Sequence, residues 1–280
     1  MNSNLNVSES AFLVNEFRAR NEAESRDIYA KLWVTDKTRE IAKRYDEQVS
    51  PHALGVILGI RNRYFLACLE SELRLHPDLV FVNVAAGFTS YPFLVNGLQK
   101  SIEIDFPHVI EYKERKLKEF QDQGKLPFRI IRFLPADLNR IEDEERLSMQ
   151  LKHEIAVKPS LVFMEGLTYY LDSKSLSRLV TLFSNLQTPG SLLVLDAWAS
   201  ARETEAVCSR FRKFLADHLN YPNIRYNYLD VPDLNRLAAG RYEIVELTNM
   251  LEKEKEYLGP ASKPRSERFS DISLVTLRKN

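Results

Sequence analysis

The sequence has few cysteines, no excess of either charge and no long apolar run. Its 280 residues include two cysteines, Cys68 and Cys208, and neither has a second cysteine or a histidine at ligand spacing. This excludes a disulfide framework and gives no indication of a metal site, so we expect two reduced, buried thiols. The 39 basic and 39 acidic residues balance, whereas proteins that bind nucleic-acid phosphates usually carry excess positive charge.

No apolar run approaches the ~20 residues of a membrane helix. The first residues are polar and lack the basic segment and apolar core of a secretory signal. We therefore expect a cytoplasmic protein with neither a membrane nor a nucleic-acid partner. The hydrophobic content of 44% is ordinary for a globular chain, and the length suits one α/β domain with added elements.

The residue pattern changes near residue 78. Before it lie three helical patterns (10–24, 36–47 and 62–75) and no convincing strand; after it, short apolar runs alternate with amphipathic stretches. The predicted strands are 79–85, 101–104, 128–133, 160–164 and 191–197, and the clearest helices after them are 109–120, 173–186 and 204–219. This alternation predicts βαβ units and a mostly parallel sheet.

Two later runs, 241–247 and 271–277, are strand-like and are joined by a charged connection. They predict an antiparallel pair that closes one edge of the sheet. We therefore divide the chain into an N-terminal helical cover, residues 1–77, and an α/β core, residues 78–280.

Ligands of open α/β sheets bind beyond the carboxyl ends of the strands. After the first strand, Ala85 and Ser90 stand where a dinucleotide-binding GxGxxG motif would have glycines, and Gly87 is the glycine that remains. This argues against a dinucleotide. A ligand without phosphates, such as S-adenosylmethionine, needs only one close backbone approach, although the segment could also be a generic turn.

Acidic residues follow the second and third strands. Asp105, 18 positions after Gly87 (105 − 87), could accept hydrogen bonds from both ribose hydroxyls, or it could cap the next helix. Asp137 could accept from an adenine amino group while the next backbone N–H, that of Leu138, donates to a ring nitrogen. The alternative for Asp137 is an Asx turn.

Glu165 follows four apolar residues of the fourth strand. It should lie at the mouth of the sheet, facing the ammonium or sulfonium end of the cofactor, unless it is a solvated loop acid. Paired aromatics such as Tyr169 and Tyr170 are more often core or rim than catalytic. After the fifth strand, residues 196–198 (Asp-Ala-Trp) could shape an acceptor pocket.

Taken together, these segments resemble the leucine carboxyl methyltransferase family, whose bacterial members include O-methyltransferases of polyketide and other natural-product pathways. The resemblance runs from about Arg61 to Trp198, and the first 60 residues match loosely, in the manner of the family's helical cover. The matching segments are 61–65 (family R-T-R-Y-F), 84–90 (L-G-A-G-x-D-T), 103–107 (E-V-D-x-P), 136–138 (A-D-L) and 165–171 (E-G-x-x-x-Y-L).

The resemblance implies a Rossmann-like class I methyltransferase with a seven-stranded sheet, S-adenosylmethionine as cofactor and no metal. The implied cofactor-binding residues are Arg61, Arg63, Ala85, Gly87, Asp105, Asp137, Leu138 and Glu165. Either arginine would bind the cofactor carboxylate, with Arg61 preferred. The implied catalytic residues are Glu165 and Tyr170, which matches a family tyrosine near the reacting centre.

Two departures from the family pattern bear on activity. Ala85 replaces the first motif glycine, and Thr89-Ser90 replaces an Asp-Thr pair, which leaves room for altered affinity or a lapsed enzyme. We expect an O-methyltransferase whose partner is a small-molecule acceptor. The alternatives are a methyltransferase of protein C-terminal carboxylates and a non-catalytic binding or scaffold protein; the oligomeric state stays open.

No histidine falls inside a strand-end motif, and His52 is a candidate base only if the N-terminal cover brings it over the site. A carboxylate acceptor is already ionised at neutral pH and requires no base, whereas a phenol or alcohol benefits from one. The sequence therefore favours a carboxylate. The aromatics of the cover (Tyr29, Trp33, Tyr45, Tyr64 and Phe65) predict a lid that selects the acceptor; the alternative is that they only pack the helices onto the sheet.

Overall fold

The computed structural model describes residues 9–49, 53–155, 157–201, 206–219, 226–259 and 272–280. The strands are β1 (Val80–Val84), β2 (Lys100–Asp105), β3 (Ile131–Pro135), β4 (Ser160–Met164), β5 (Leu192–Trp198), β6 (Tyr242–Asn249) and β7 (Ile272–Lys279). The helices are α1 (Glu9–Arg20), α2 (Glu22–Ser25), α3 (Asp36–Gln48), α4 (Ala53–Leu75), α5 (Tyr91–Leu94), α6 (Pro107–Asp122), α7 (Ile141–Ile155), α8 (Ser173–Leu186), α9 (Ala206–Leu219), α10 (Val231–Ala238) and α11 (Met250–Leu258), with a 3₁₀ helix at Ala30–Trp33.

All seven strands form one sheet in the order β3-β2-β1-β4-β5-β7-β6. The strands β1 to β5 pair in parallel, and β7 runs antiparallel to both β5 and β6. This confirms the predicted mostly parallel sheet with an antiparallel edge. The strand order reverses between β1 and β4, so the loops after these two strands flank the switch point where ligands bind in open α/β sheets.

The sheet separates two apolar cores. On one face, α4 and the helices before it share a core with residues of β1, β4 and β5. On the other face, α7, α8 and α10 cover a second core. The N-terminal helices are therefore packed directly on the sheet. Cys208 is buried and Cys68 is half-buried, and neither is in a disulfide.

Several boundaries differ from the sequence prediction. The third strand begins at Ile131 rather than at residue 128, and the side chains of Phe128 and Ile130 are 74% and 77% exposed. The predicted helix 10–24 is interrupted at Asn21, between α1 and α2. The charged connection after residue 247 contains α11, which Asn249 caps through a capping box.

The fourth helix begins nine residues before the predicted start. Its glycines do not interrupt the helix, because their lack of a side chain makes room for neighbouring residues. A Cβ at Gly55 would lie 2.2 Å from the side-chain amide nitrogen of Asn21, and one at Gly59 would lie 2.9 Å from Cβ of Glu24. Glycines that look like helix breakers in the sequence therefore allow α2 to approach α4 closely. Within the described residues, no helix is both long enough and apolar enough to cross a membrane.

Candidate functional site

The loop after β1 turns sharply and is tied to the end of β2. Ala85 and Gly87 both have left-handed backbone conformations, with φ of 54° and 46°. The N–H of Gly87 donates to Oδ2 of Asp105 at 2.7 Å, and the N–H of Phe106 donates to Oδ1 at the same distance. Burial raises the pKa of Asp105, and these two N–H groups partly oppose the rise.

The residues that replace the family's Asp-Thr pair follow this turn. The Thr89 hydroxyl donates to the carbonyl of Ala86 at 2.9 Å and accepts from the side-chain amide of Asn83 at 2.7 Å. Thr89 thus closes the turn without a charge. Ser90 is buried, and its hydroxyl lies against the carboxylate of Asp27 and acts to lower the pKa of that group.

Glu165, after β4, is buried and already engaged by three donors. Its Oε1 accepts from Arg18 and, at 2.9 Å, from Nε of Arg61, while its Oε2 accepts from the Tyr91 hydroxyl at 2.7 Å. Burial alone would raise the pKa of Glu165, but the two arginines more than offset it and hold the pKa below its usual value. The carboxylate predicted to face a cofactor instead holds two arginines in place.

Arg61 links the ends of β4 and β5. Its Nη1 donates to the Tyr169 hydroxyl at 3.1 Å and to Oδ2 of Asp196 at 3.3 Å. The other oxygen of Asp196 accepts from the N–H of Gly166 at 2.6 Å. Gly166 has φ of 68°, and a Cβ there would lie 3.2 Å from Nη2 of Arg61. A glycine at this position therefore makes room for the arginine.

Arg18, on α1, was missed by the sequence reasoning. It is 1% exposed, and besides its bond to Glu165 its Nε and Nη1 have no partner within the described part of the chain. Asp27 is equally buried, interacts electrostatically with Arg18 and lies beside Ser90, yet its Oδ2 also lacks a hydrogen bond. Burial raises the pKa of Asp27, and Arg18 opposes the rise.

Sequence pattern alone gave no means of finding Arg18. It stands between Phe17 and Arg20 in a helix with little apolar periodicity, and Arg20 is half-exposed and pairs with Glu16 and Asp46. Only the position of α1 over the sheet distinguishes the two arginines.

After β3, Asp137 and Leu138 lie at the same end of the sheet. The Asp137 side chain accepts from the N–H of Asn139 at 3.0 Å, which is an Asx turn, and its own N–H donates to Asp143 at 2.8 Å. Leu138 packs against the second core. The N–H of Ala136 donates to the carbonyl of Asp105 at 2.8 Å, so this turn lies beside the end of β2, and the adenine is predicted to bind there.

Two predicted site residues lie apart from this cluster. Arg63 is two residues from Arg61 and so lies on the opposite side of α4; its guanidinium stacks over the ring of Tyr257, 4.4 Å from the centroid. Tyr170 is 44% exposed, and its ring packs against the rings of Tyr169 and Tyr226. His52 lies outside the described residues.

A cavity of ≈ 80 Å³ adjoins Arg61. At the sheet end it is lined by Arg61, Tyr169, Tyr170 and Trp198, with the indole stacked on Tyr169 at 4.2 Å. Apart from Ser10 on α1, the rest of the wall is apolar or aromatic and comes from helices α1, α3, α4 and α9 and from β7: Leu13, Val14, Phe17, Tyr45, Leu54, Ile57, Leu58, Cys208, Phe211, Leu215 and Ile272.

Helix α1 covers the β1 loop. A Cβ at Gly87 would lie 3.5 Å from Cβ of Ala11, the rings of Phe12 and Phe88 lie 4.5 Å apart, and Trp33 stacks on Phe88. Of the predicted lid aromatics, Tyr45 reaches the cavity wall, whereas the others pack the helices. The cover therefore closes directly over the loops that form the site.

Comparison with known proteins gives a consistent family and fold. A model of the leucine carboxyl methyltransferase family matches residues 14–184. A protein from Mycolicibacterium paratuberculosis, named as an S-adenosyl-L-methionine-dependent methyltransferase, is 27% identical over 222 residues, which cover 74% of this chain and 69% of the relative. One of the same name from Mycobacterium marinum is 31% identical over 163 residues, covering 54% and 49%.

Solved structures agree on the architecture. A DUF574 family protein from Streptomyces avermitilis aligns with a TM-score of 0.65 at 12% identity, covering 97% of both chains. A protein from Thermobifida fusca described as a methyltransferase aligns with a TM-score of 0.58 at 14% identity, covering 96% of this chain and 94% of that one. At these identities the likeness concerns the fold.

Proposed function

We propose, because this chain belongs to the leucine carboxyl methyltransferase family, that it uses S-adenosylmethionine to methylate a carboxylate of a small molecule. The family and the named relatives support methyltransferase activity and this cofactor. The choice of a carboxylate as acceptor is the more specific part of the proposal, and it rests on the geometry of the site.

The observation that carries the proposal is the group of buried polar atoms without partners around Arg18. The methionyl end of the cofactor has a carboxylate and an ammonium group. Arg18 offers two unused donors to the carboxylate, Asp27 offers an unused acceptor to the ammonium, and the Ser90 hydroxyl can bond either. Leaving such groups unsatisfied is costly, so a polar ligand is expected there.

The charge of the cluster also fits. Arg18 and Arg61 carry two positive charges, and Asp27, Glu165 and Asp196 carry three negative charges when ionised. S-adenosylmethionine has a sulfonium, an ammonium and a carboxylate, so its net charge is +1. The ligand would therefore neutralise the excess negative charge that burial makes costly.

The remaining predicted contacts keep their roles in the proposal. Asp105 would bind the ribose hydroxyls, since each oxygen has capacity beyond the single N–H that it accepts. Asp137 and Leu138 would bind the adenine, and the turn at Gly87 would pass close to the ligand. Glu165 would act as a positioning residue that holds Arg18 and Arg61 in place.

When bound, S-adenosylmethionine would supply an activated methyl group for an acceptor oxygen, with its sulfur keeping the electron pair of the S–C bond. In this site Arg61 has an Nη2 that makes none of the hydrogen bonds found among the described residues. Burial raises the pKa of Tyr169 to about 12, so its hydroxyl stays a donor at neutral pH. These two donors would orient a carboxylate, which loses no proton on methylation.

Calorimetric titration with S-adenosylmethionine tests cofactor binding. We expect the wild type to bind and Arg18→Met to lose affinity by about tenfold or more, the value of one charge-assisted bond. Arg20→Met on the same helix is the matched control and should bind normally. Circular dichroism checks that both variants are folded, and Ser90→Ala provides a milder second variant at the same place.

A methylation assay on small acids, phenols and carboxyl-terminal peptides tests the acceptor. Turnover of small acids is expected. Turnover of phenols but no acids would overturn the carboxylate assignment, and turnover confined to peptides would favour a protein carboxyl methyltransferase. A folded wild type that does not bind S-adenosylmethionine would favour the non-catalytic alternative.

A further inference from the structure

We infer that the cavity beside Arg61 is the acceptor pocket and that it selects a carboxylic acid carrying a single aromatic ring. This inference rests on the proposed function. Its first support is position. Arg61 lines the cavity and binds Oε1 of Glu165, the same oxygen that Arg18 binds. An acceptor in the cavity would therefore have its polar end next to the proposed methionyl subsite.

The second support is the distribution of polar atoms around the cavity. Arg61 and the Tyr169 hydroxyl lie together at the sheet end, linked by a 3.1 Å hydrogen bond, and most of the other lining side chains are apolar or aromatic. A ligand that matches this wall has an acidic group at one end and an apolar body. A polar or charged body would lose its hydration without replacement.

The third support is the aromatic character of the wall. Trp198 stacks on Tyr169 at 4.2 Å, and Phe211 and Tyr226 extend the cluster, with their rings parallel at 6.5 Å. Aromatic rings pair favourably in offset and edge-to-face arrangements. A flat ring therefore gains contacts here that a branched aliphatic group of the same size does not.

The volume limits the acceptor to one ring. At ≈ 80 Å³, the cavity is smaller than the ~150 Å³ cavity that admits benzene in an engineered protein. One ring fits if a wall side chain shifts outward, and Phe211 is suited to this because it is only half-buried on α9. Two fused rings would need a larger displacement of the wall than one ring.

The test compares acetate, phenylacetate and 2-naphthylacetate as acceptors, with formation of S-adenosylhomocysteine as the readout. We expect kcat/KM for phenylacetate to exceed that for each of the other acids by about tenfold or more, the usual value of one well-filled apolar pocket. Phe211→Ala should raise the rate with 2-naphthylacetate by about tenfold. Phe214→Ala removes the same ring from the same helix outside the cavity lining and should leave the preference unchanged.

Binding provides a second readout. Calorimetry of phenylacetate with the S-adenosylhomocysteine complex should show binding in the wild type and its loss in Leu58→Trp, which fills the cavity. Affinity for S-adenosylmethionine should stay within about twofold of wild type in both Phe211→Ala and Leu58→Trp. Unchanged acid binding or an unchanged preference in these variants would overturn the inference, whereas loss of S-adenosylmethionine binding in the wild type would overturn the proposed function instead.

Discussion

Glu165 and Asp196 show how one environment moves two carboxyl groups in opposite directions. Burial by itself would raise the pKa of both carboxyl groups. Two arginines and a tyrosine hydroxyl surround Glu165 and lower its pKa below the usual value, whereas Asp196 shares Arg61 with other partners and its pKa stays raised. At neutral pH, Glu165 is therefore the firmly ionised anchor of the cluster.

Substituting Glu165→Gln should destabilise the protein by about 3–5 kcal/mol at neutral pH, because it leaves Arg18 and Arg61 without a buried counter-charge. The pKa of Glu165 is lowered in the folded state, so its contribution to stability is present above the unfolded value near 4.5 and is lost as the pH falls through the folded pKa. Urea unfolding at several pH values should show that the difference in free energy of unfolding between the wild type and Glu165→Gln becomes smaller as the pH falls below 4.5.

The exposed Glu142→Gln, at a side chain 76% exposed, is the control for this measurement and should change stability by less than about 1 kcal/mol. A Glu165→Gln variant as stable as wild type at pH 7 would show that the buried cluster does not depend on this charge.

Ala85 is a second residue whose effect can be measured alone. It has a Cβ but occupies the left-handed region at φ of 54°, where L-residues are strained. Ala85→Gly should therefore raise the free energy of unfolding by about 1 kcal/mol, the relief of strain exceeding the added chain entropy. Ala86→Gly, where φ is not positive, should lower it. A loss of stability in Ala85→Gly would contradict the strain assignment.

At the scale of elements, a buried ion pair joins α6 to the strand beneath the site. The ammonium of Lys113 lies 2.6 Å from the carboxylate of Glu103, and both side chains are 0% exposed. Glu103 is two residues before Asp105, so it lies on the same face of β2. Burial raises the pKa of Glu103, and Lys113 opposes the rise.

Removing one partner of this pair should cost more than removing both. Lys113→Met leaves a buried carboxylate unpaired and should destabilise the protein by about 3–5 kcal/mol, whereas the double variant Lys113→Met, Glu103→Leu should recover most of the loss. Chemical unfolding of the two single variants and the double variant measures this. Additive losses in the double variant would mean that the two charges do not act as a pair.

Helices and strands whose apolar residues recur with a strong period could be predicted from the sequence. Elements whose bounds depend on tertiary contacts could not. Helix α8 has the predicted bounds because one face of its 14 residues is almost wholly apolar. The start of α4 was missed, since its glycines are explained only by α2 packed against them. The third strand was placed too early because Phe128 and Ile130 look like strand residues yet remain exposed.

At the scale of the whole molecule, some residues of the candidate site could likewise be predicted from the sequence and others could not. The acidic residues at the strand ends could be located because parallel strands bring their carboxyl ends to one edge. Arg18 and Asp27 could not, because they reach the site only through the position of the N-terminal helices over the sheet. The site thus combines segments about 150 residues apart, as in the bond from Arg18 to Glu165 with a separation of 147.

Because the site combines residues of the N-terminal helices and of the strand ends, we expect cofactor binding to stabilise the cover and the core together. S-adenosylmethionine at about 100 times its Kd should add about 2.7 kcal/mol to the free energy of unfolding. Hydrogen exchange should slow in α1 as well as in the loop at 85–90, because Arg18 and the Gly87 turn would contact the same ligand. Helix α8, on the opposite face of the sheet, reports the gain in global stability, and protection in α1 and in the loop is compared with it. Protection of the 85–90 loop without any change in α1 would show that the N-terminal helices do not take part in binding, and Arg18 would then be only a structural partner of Glu165.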